Sequence, residues 1–168
     1  YRAGKAMTTG IMNTLIGTQA GDALTDADYN TVVGRNAMSN DTQGSRAVAI
    51  GYGALTNQNF TSATNNYNVG VGFNAGEQIT TGQNNTLIGG RAGDALTTGG
   101  SNTAVGDSAL GANQTSNSNT AVGESALTST TGEKNTAIGA GAGNAISSGI
   151  KNTVVGMFNG NEDNLDIR

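Results

Sequence analysis

A motif close to Asn-Thr-x-Ile/Val-Gly returns nine times along this chain, and its near-constant spacing restricts the fold more than any other feature. The closing glycines are Gly17, Gly34, Gly51, Gly72, Gly89, Gly106, Gly123, Gly139 and Gly156, separated by 17, 17, 21, 17, 17, 17, 16 and 17 residues. Seven copies keep Asn-Thr, beginning at Asn13, Asn30, Asn85, Asn102, Asn119, Asn135 and Asn152. The other two read Ala47-Val48-Ala49-Ile50-Gly51 and Asn68-Val69-Gly70-Val71-Gly72. A fixed period of this length is the signature of stacked supersecondary units, each too small to bury its own apolar face.

The residue before each glycine is always β-branched: Ile16, Val33, Ile50, Val71, Ile88, Val105, Val122, Ile138 and Val155. Two residues earlier stands Thr, or its near-isostere Val at Val48 and Val69. β-branched side chains suit strands and disfavour helices, and alternate residues of a strand share a face. The motif therefore reads as a short strand whose inner, core-forming face carries Ile/Val and Thr/Val. The residue between them is Leu, Val, Ala or Gly and belongs to a second face, also covered.

Three residues after the glycine comes Ala in eight copies, with Asn159 the exception. Where Ala is followed by Gly, an aliphatic residue comes three places later, at Leu24, Ile79, Leu96 and Ile146. Where Ala is followed by Met38, Leu55, Leu110 or Leu127, the later position is polar: Asp41, Gln58, Asn113 or Thr130. Both routes are expected to fill one space, because a close-packed interior accepts neither a void nor two side chains there. Turn elements such as Thr80-Thr81-Gly82 and Thr97-Thr98-Gly99 then return the chain.

So much glycine and no 3.6-residue period exclude a helical repeat. The expected fold is all-β: a parallel β-roll or β-solenoid of nine coils, with Asn and Thr in ladders from coil to coil. It forms a single repeat domain over 1–168, with 1–12 the end of a preceding coil, 13–156 the nine repeats and 157–168 a polar exit or cap.

The composition narrows function. The chain has no His, Cys, Pro or Trp. That removes the commonest general base, thiol chemistry and thiolate metal sites. With eight Lys+Arg against twelve Asp+Glu, there is no basic face for nucleic acid. No apolar run is long enough to insert in a bilayer. Asp22, Glu77 and Asp94 share one place in the repeat, and Glu77 and Asp94 fall on consecutive coils. The functional reading of that placement is a paired-carboxylate or cation site, and solvated corner acids are the simpler reading. No catalytic residue, cofactor or metal site is expected, so the chain reads as a non-enzyme.

Each coil has a thin core, and its second face is small and apolar. Burial against further copies of the chain is the expected remedy, with cyclic symmetry. The stretch Arg46-Ala47-Val48-Ala49-Ile50-Gly51-Tyr52-Gly53-Ala54-Leu55 resembles the head repeat of trimeric autotransporter adhesins. Asn119-Thr120-Ala121-Val122-Gly123-Glu124-Ser125-Ala126-Leu127 is similar to repeats of bacteriophage tail fibres, in which an endosialidase-type intramolecular chaperone often follows. The resemblance implies three parallel β-rolls about one axis. It also implies a structural and attachment role, as shaft or head segment of a trimeric tail fibre on a virion. The alternative is a bacterial cell-surface adhesin. The implied partners are the chain itself, as a homotrimer, and a host surface glycan or protein.

The step of 21 residues between Gly51 and Gly72 inserts four residues within Asn57 to Tyr67. Insertions in solenoids map to loops on one face, often the binding face. The chain has four Tyr and three Phe, and Tyr52, Phe60, Tyr67 and Phe73 all fall here. These are candidate receptor contacts, aromatic rings beside Asn and Gln being suited to a sugar. The competing reading has Phe60 and Tyr67 folded down over a coil end or a subunit seam. A rival class is a monomeric ice- or glycan-binding solenoid. The Thr-to-Val exchange at Val48 and Val69 argues against ice, since it suggests an inward Thr position.

Overall fold

The computed structural model describes residues 2–160. Its strands are β1 Thr14–Ile16, β2 Thr31–Val33, β3 Gly44–Ser45, β4 Val48–Ile50, β5 Thr64–Asn65, β6 Val69–Val71, β7 Thr86–Ile88, β8 Thr103–Val105, β9 Thr120–Val122, β10 Thr136–Ile138 and β11 Thr153–Val155. There is no helix among the described residues. Nine of the strands form one sheet in the order β1-β2-β4-β6-β7-β8-β9-β10-β11, every pair parallel. Register pairs like position with like, as in Thr86 with Thr103 and Ile88 with Val105. The chain is a β-solenoid of about eight turns, and steps of about 4.8 Å make it roughly 40 Å tall. Residues 2–12 continue the stack below β1: the Gly4 amide donates to Ala20 O and the Ala6 amide to Asp22 O. The expected polar exit beyond Gly160 lies outside the described residues.

The strand faces are the reverse of the sequence expectation. The middle residue of each strand points into the coil: Val32, Ala49, Leu87, Ala104, Ala121 and Ala137 are all fully buried. Ile16, Val33, Ile50, Val71, Ile88, Val105, Val122, Ile138 and Val155 are not core residues of the chain. They face outward, half-buried or exposed, Ile88 retaining 40% of its surface. The Thr/Val positions two residues earlier face outward with them.

The variable size of the middle residue has a packing cause. Each one lies between the residues four places after two successive closing glycines, and the volumes compensate. Leu87 fits between Gly76 and Gly93, where a Cβ would come 2.7 and 2.8 Å from its δ-carbons. Leu15 likewise fits between Gly4 and Gly21. Ala49 sits between the rungs of Met38 and Leu55, and Ala121 between those of Leu110 and Leu127, where a larger side chain has no room.

The expected exchange between the two large-residue routes also has a geometric basis. A Cβ at Gly21 would sit 2.8 Å from Leu24 Cδ1, and one at Gly93 would sit 2.9 Å from Leu96 Cδ1. The side chains of Met38, Leu55, Leu110 and Leu127 leave the backbone from that same position and are fully buried. In their coils the later residue is a buried polar group that ties the corner. Asn113 Oδ1 accepts from the Ser116 amide, and Thr130 Oγ1 from the Gly132 amide.

The Asn of the motif is a buried crossbeam. Asn102 Oδ1 accepts the Asn119 amide of the next coil, while Asn102 Nδ2 donates across the core to Ser116 O. Asn30, Asn68, Asn85, Asn119 and Asn135 repeat the arrangement. These bonds satisfy backbone groups that a three-residue strand leaves unpaired inside the coil.

Candidate interaction surfaces

Two surfaces stand out. The first is the outer face of the nine-stranded sheet, where Thr (or Val48 and Val69) and Ile/Val form two parallel columns along the rod. The second lies at the strand ends in the second to fourth coils, where the aromatic residues collect.

Immediately after the closing glycines stand Arg35, Tyr52 and Phe73, one per coil. The Tyr52 and Phe73 rings stack with centroids 5.5 Å apart and planes 13° from parallel. The Arg35 guanidinium lies 5.8 Å from the Tyr52 centroid on the preceding coil. At the other end of the strands Tyr29, Arg46 and Tyr67 form a second column. Arg46 lies 4.6 Å from the Tyr29 ring centroid and donates from Nε to Asn65 Oδ1. Cation–π contacts of this kind hold exposed side chains in place at modest gain. Three of the four aromatic candidates are thus accessible: Tyr52, Tyr67 and Phe73 keep 44%, 53% and 56% of their surface.

Phe60 is different. It keeps 5% of its surface and packs against Gly44, where a Cβ would meet its ring at 2.9 Å. It is therefore a structural residue and not an accessible contact, in line with the competing reading for that residue. Around it runs a buried polar chain. Asp41 Oδ1 accepts the Gly44 and Phe60 amides, and Asp41 Oδ2 accepts Gln58 Nε2 at 2.6 Å. Gln58 Oε1 in turn accepts Asn68 Nδ2.

The long coil and the missing motif Asn are one feature. At Ala47 there is no crossbeam side chain, so the Asn68 amide of the following coil lacks its usual acceptor. Asn66, supplied by the insertion and fully buried, accepts that amide with Oδ1 at 2.9 Å and donates Nδ2 to Ser45 O. β5 then pairs with β3, and only residues 61–63 stand fully exposed between Phe60 and that strand. Sequence reasoning missed this role of Asn66, although Ala47 in the place of Asn was the signal for it.

The acidic positions do not gather into a site. No group of three or more acids able to hold a metal ion occurs among the described residues. Glu77 accepts from Asn74 Nδ2. Burial pushes the Asp94 carboxyl above its ordinary range and the Glu77 charge adds to this, against hydrogen bonds from the backbone at Asp94 and Ala95 and the Arg91 charge. A carboxyl whose folded pKa is raised destabilises the fold where it is ionised, and the penalty disappears as pH falls through that pKa to below the unfolded value near 4. Asp94→Asn is therefore expected to raise the melting temperature at pH 7 and to leave it unchanged at about pH 3. Melting curves of both proteins at the two pH values check this; an equal or lower melting temperature for the variant at pH 7 would refute it.

Comparison with known protein families, curated proteins and solved structures finds no match for this chain.

Proposed function

We propose that the chain is a structural and attachment rod that assembles with two copies of itself through the outer face of its sheet, as a segment of a trimeric phage tail fibre. The observation that carries this reading is the outward column from Ile16 to Val155. It places one β-branched side chain on every strand of the nine-stranded sheet for the full height of the rod. A continuous exposed apolar stripe of this kind marks an interaction surface. Its partner must repeat at the same strand spacing over the same length, and a parallel copy of this chain does so. Fully burying an aliphatic side chain contributes about 1.5–3 kcal/mol. Covering nine half-exposed ones therefore gains on the order of 10 kcal/mol per chain, enough to offset the entropy of association. Three such faces close about one axis with no stripe left open. The likeness of the repeats to tail-fibre and adhesin sequences supports the attachment role. A bacterial surface adhesin is the same reading in another setting.

The outward Thr column favours one second reading. Thr faces outward and not inward, so a regular Thr and Ile/Val array on a monomer is a candidate ice-binding face. The two readings use the same surface and exclude one another. Sedimentation at micromolar concentration is expected to give a trimer. Val122→Asp is expected to shift it toward monomer by at least tenfold in dissociation constant while the far-ultraviolet circular dichroism stays that of the wild type, because Val122 does not touch the core. Glu124→Ala is expected to change neither. A folded wild-type monomer would overturn the assembly, and thermal hysteresis from that monomer would establish the second reading.

A further inference from the structure

The column after the closing glycines is interrupted at one rung. It runs Arg35, Tyr52, Phe73, Gly90 and Asp107. Arg35 covers one face of Tyr52 and Phe73 covers the other. Phe73 has Tyr52 on one face, and the next coil carries Gly90, with no side chain, at the equivalent position. Two coil steps, about 9–10 Å, separate Phe73 from Asp107, with the bare glycine between. The Asp107 carboxylate leans across that rung, its Oδ1 lying 2.8 Å from where a Cβ of residue 90 would stand. Asp107 Oδ2 accepts Ser108 Oγ at 3.0 Å and lies 3.9 Å from Arg91 Nη2. Both partners of that loose ion pair keep more than half of their side-chain surface.

We propose that this rung is a subsite for one neutral pyranose unit of a surface polysaccharide. The proposal deepens the attachment role given above by naming its ligand. The chemistry of the walls selects the ligand. The exposed Phe73 ring accepts the flat C–H face of a sugar ring, which stacks where a third ring of the column would have stood. A carboxylate and a guanidinium side by side take a pair of vicinal hydroxyls, the carboxylate accepting and the guanidinium donating, in charge-assisted hydrogen bonds. The two charges cancel and a carboxylate borders the rung, so an anionic sugar or a phosphate is disfavoured. The rung is a surface notch and not an enclosed pocket, so the chain can pass through it and an internal sugar residue fits as well as a terminal one. The notch lies past the closing glycine, beyond the C-terminal ends of the strands, and leaves the aliphatic face free for self-association.

The test is saturation-transfer nuclear magnetic resonance on the full chain with four probes: the methyl glycosides of glucose, galactose, mannose and N-acetylglucosamine. Transfer to ring C–H protons of at least one is expected. Gly90→Tyr fills the rung and extends the ring stack, and Asp107 need only swing its side-chain tip aside. That variant is expected to reduce the transfer at least fivefold, as is Phe73→Ala. Asp107→Asn keeps the shape and is expected to weaken binding about threefold to tenfold by loss of the charge-assisted bonds. Circular dichroism and sedimentation of the same samples should match the wild type, since the Phe73 and Asp107 side chains are exposed and the only close neighbour of a side chain at residue 90 is the movable Asp107 tip. Absence of transfer to all four probes, or transfer to Gly90→Tyr equal to wild type, overturns the subsite. Sedimentation reports separately on assembly, so a monomeric rod that binds sugar, or a trimeric one that does not, shows which of the two readings has failed.

Discussion

Replacing Gly106 by alanine is expected to destroy the folded rod, at a cost of at least about 4 kcal/mol, among the largest that single substitutions reach. Gly106 closes β8 with φ +138°, a region that side chains with a Cβ avoid. A Cβ there would lie 2.5 Å from both the carbonyl carbon and the oxygen of Gly123. Those atoms are backbone and cannot swing away. The Gly106 amide is held to Ile88 O at 2.8 Å and the Gly123 amide to Val105 O at 2.7 Å. Relief requires prising two coils apart and breaking bonds on both sides. Gly90→Ala is the control, since its only close neighbour is the tip of the Asp107 side chain, and its effect should lie within about 0.5 kcal/mol. Guanidinium unfolding followed by circular dichroism measures both. A Gly106→Ala protein that melts within a few degrees of the wild type would refute the account of why every repeat ends in glycine.

The all-β class, the parallel stacking and the strand positions were legible because the repeat spacing carries them directly. The exchange between Leu127 with Thr130 and Gly143 with Ile146 was also legible, because volume conservation leaves a pattern in residue type. The orientation of the strands was not. Invariant β-branched residues at Ile88 or Val105 suggest a core, yet a coil core in this chain needs variable volumes. Leu87 and Ala104 differ because Gly93 and Leu110 differ across from them. Constancy at Ile88 and its equivalents instead belongs to an outward column that repeats at every level, the face proposed above for self-association. The aromatic patch was half legible. Clustering placed Tyr52 and Phe73 together, but only the coil geometry separates them from Phe60, which the inserted segment folds inward.

Removal of a crossbeam tests the buried amide ladder. Asn119→Ala leaves the Asn135 amide without its acceptor and Gly132 O without its donor, bonds of 2.9 Å each. An unsatisfied buried backbone group costs about 1–3 kcal/mol, so the loss should be about 2–5 kcal/mol. Asn66→Ala should cost less, about 1–3 kcal/mol. It strands the Asn68 amide, but Ser45 O keeps the Asn66 backbone amide as a donor. The two positions differ in what can repair them. In the Asn66→Ala chain the space beside Ala47 is vacated, and Ala47→Asn rebuilds the regular ladder from Asn30 to Asn68. At least half of the lost stability should return in the double variant. Unfolding midpoints of the wild type, the single variants and the pair form a double-mutant cycle for Ala47 and Asn66. Additive effects in that cycle would mean that the insertion is not the counterpart of the missing Asn, and that the extra residues of the long coil exist for some purpose other than completing the ladder.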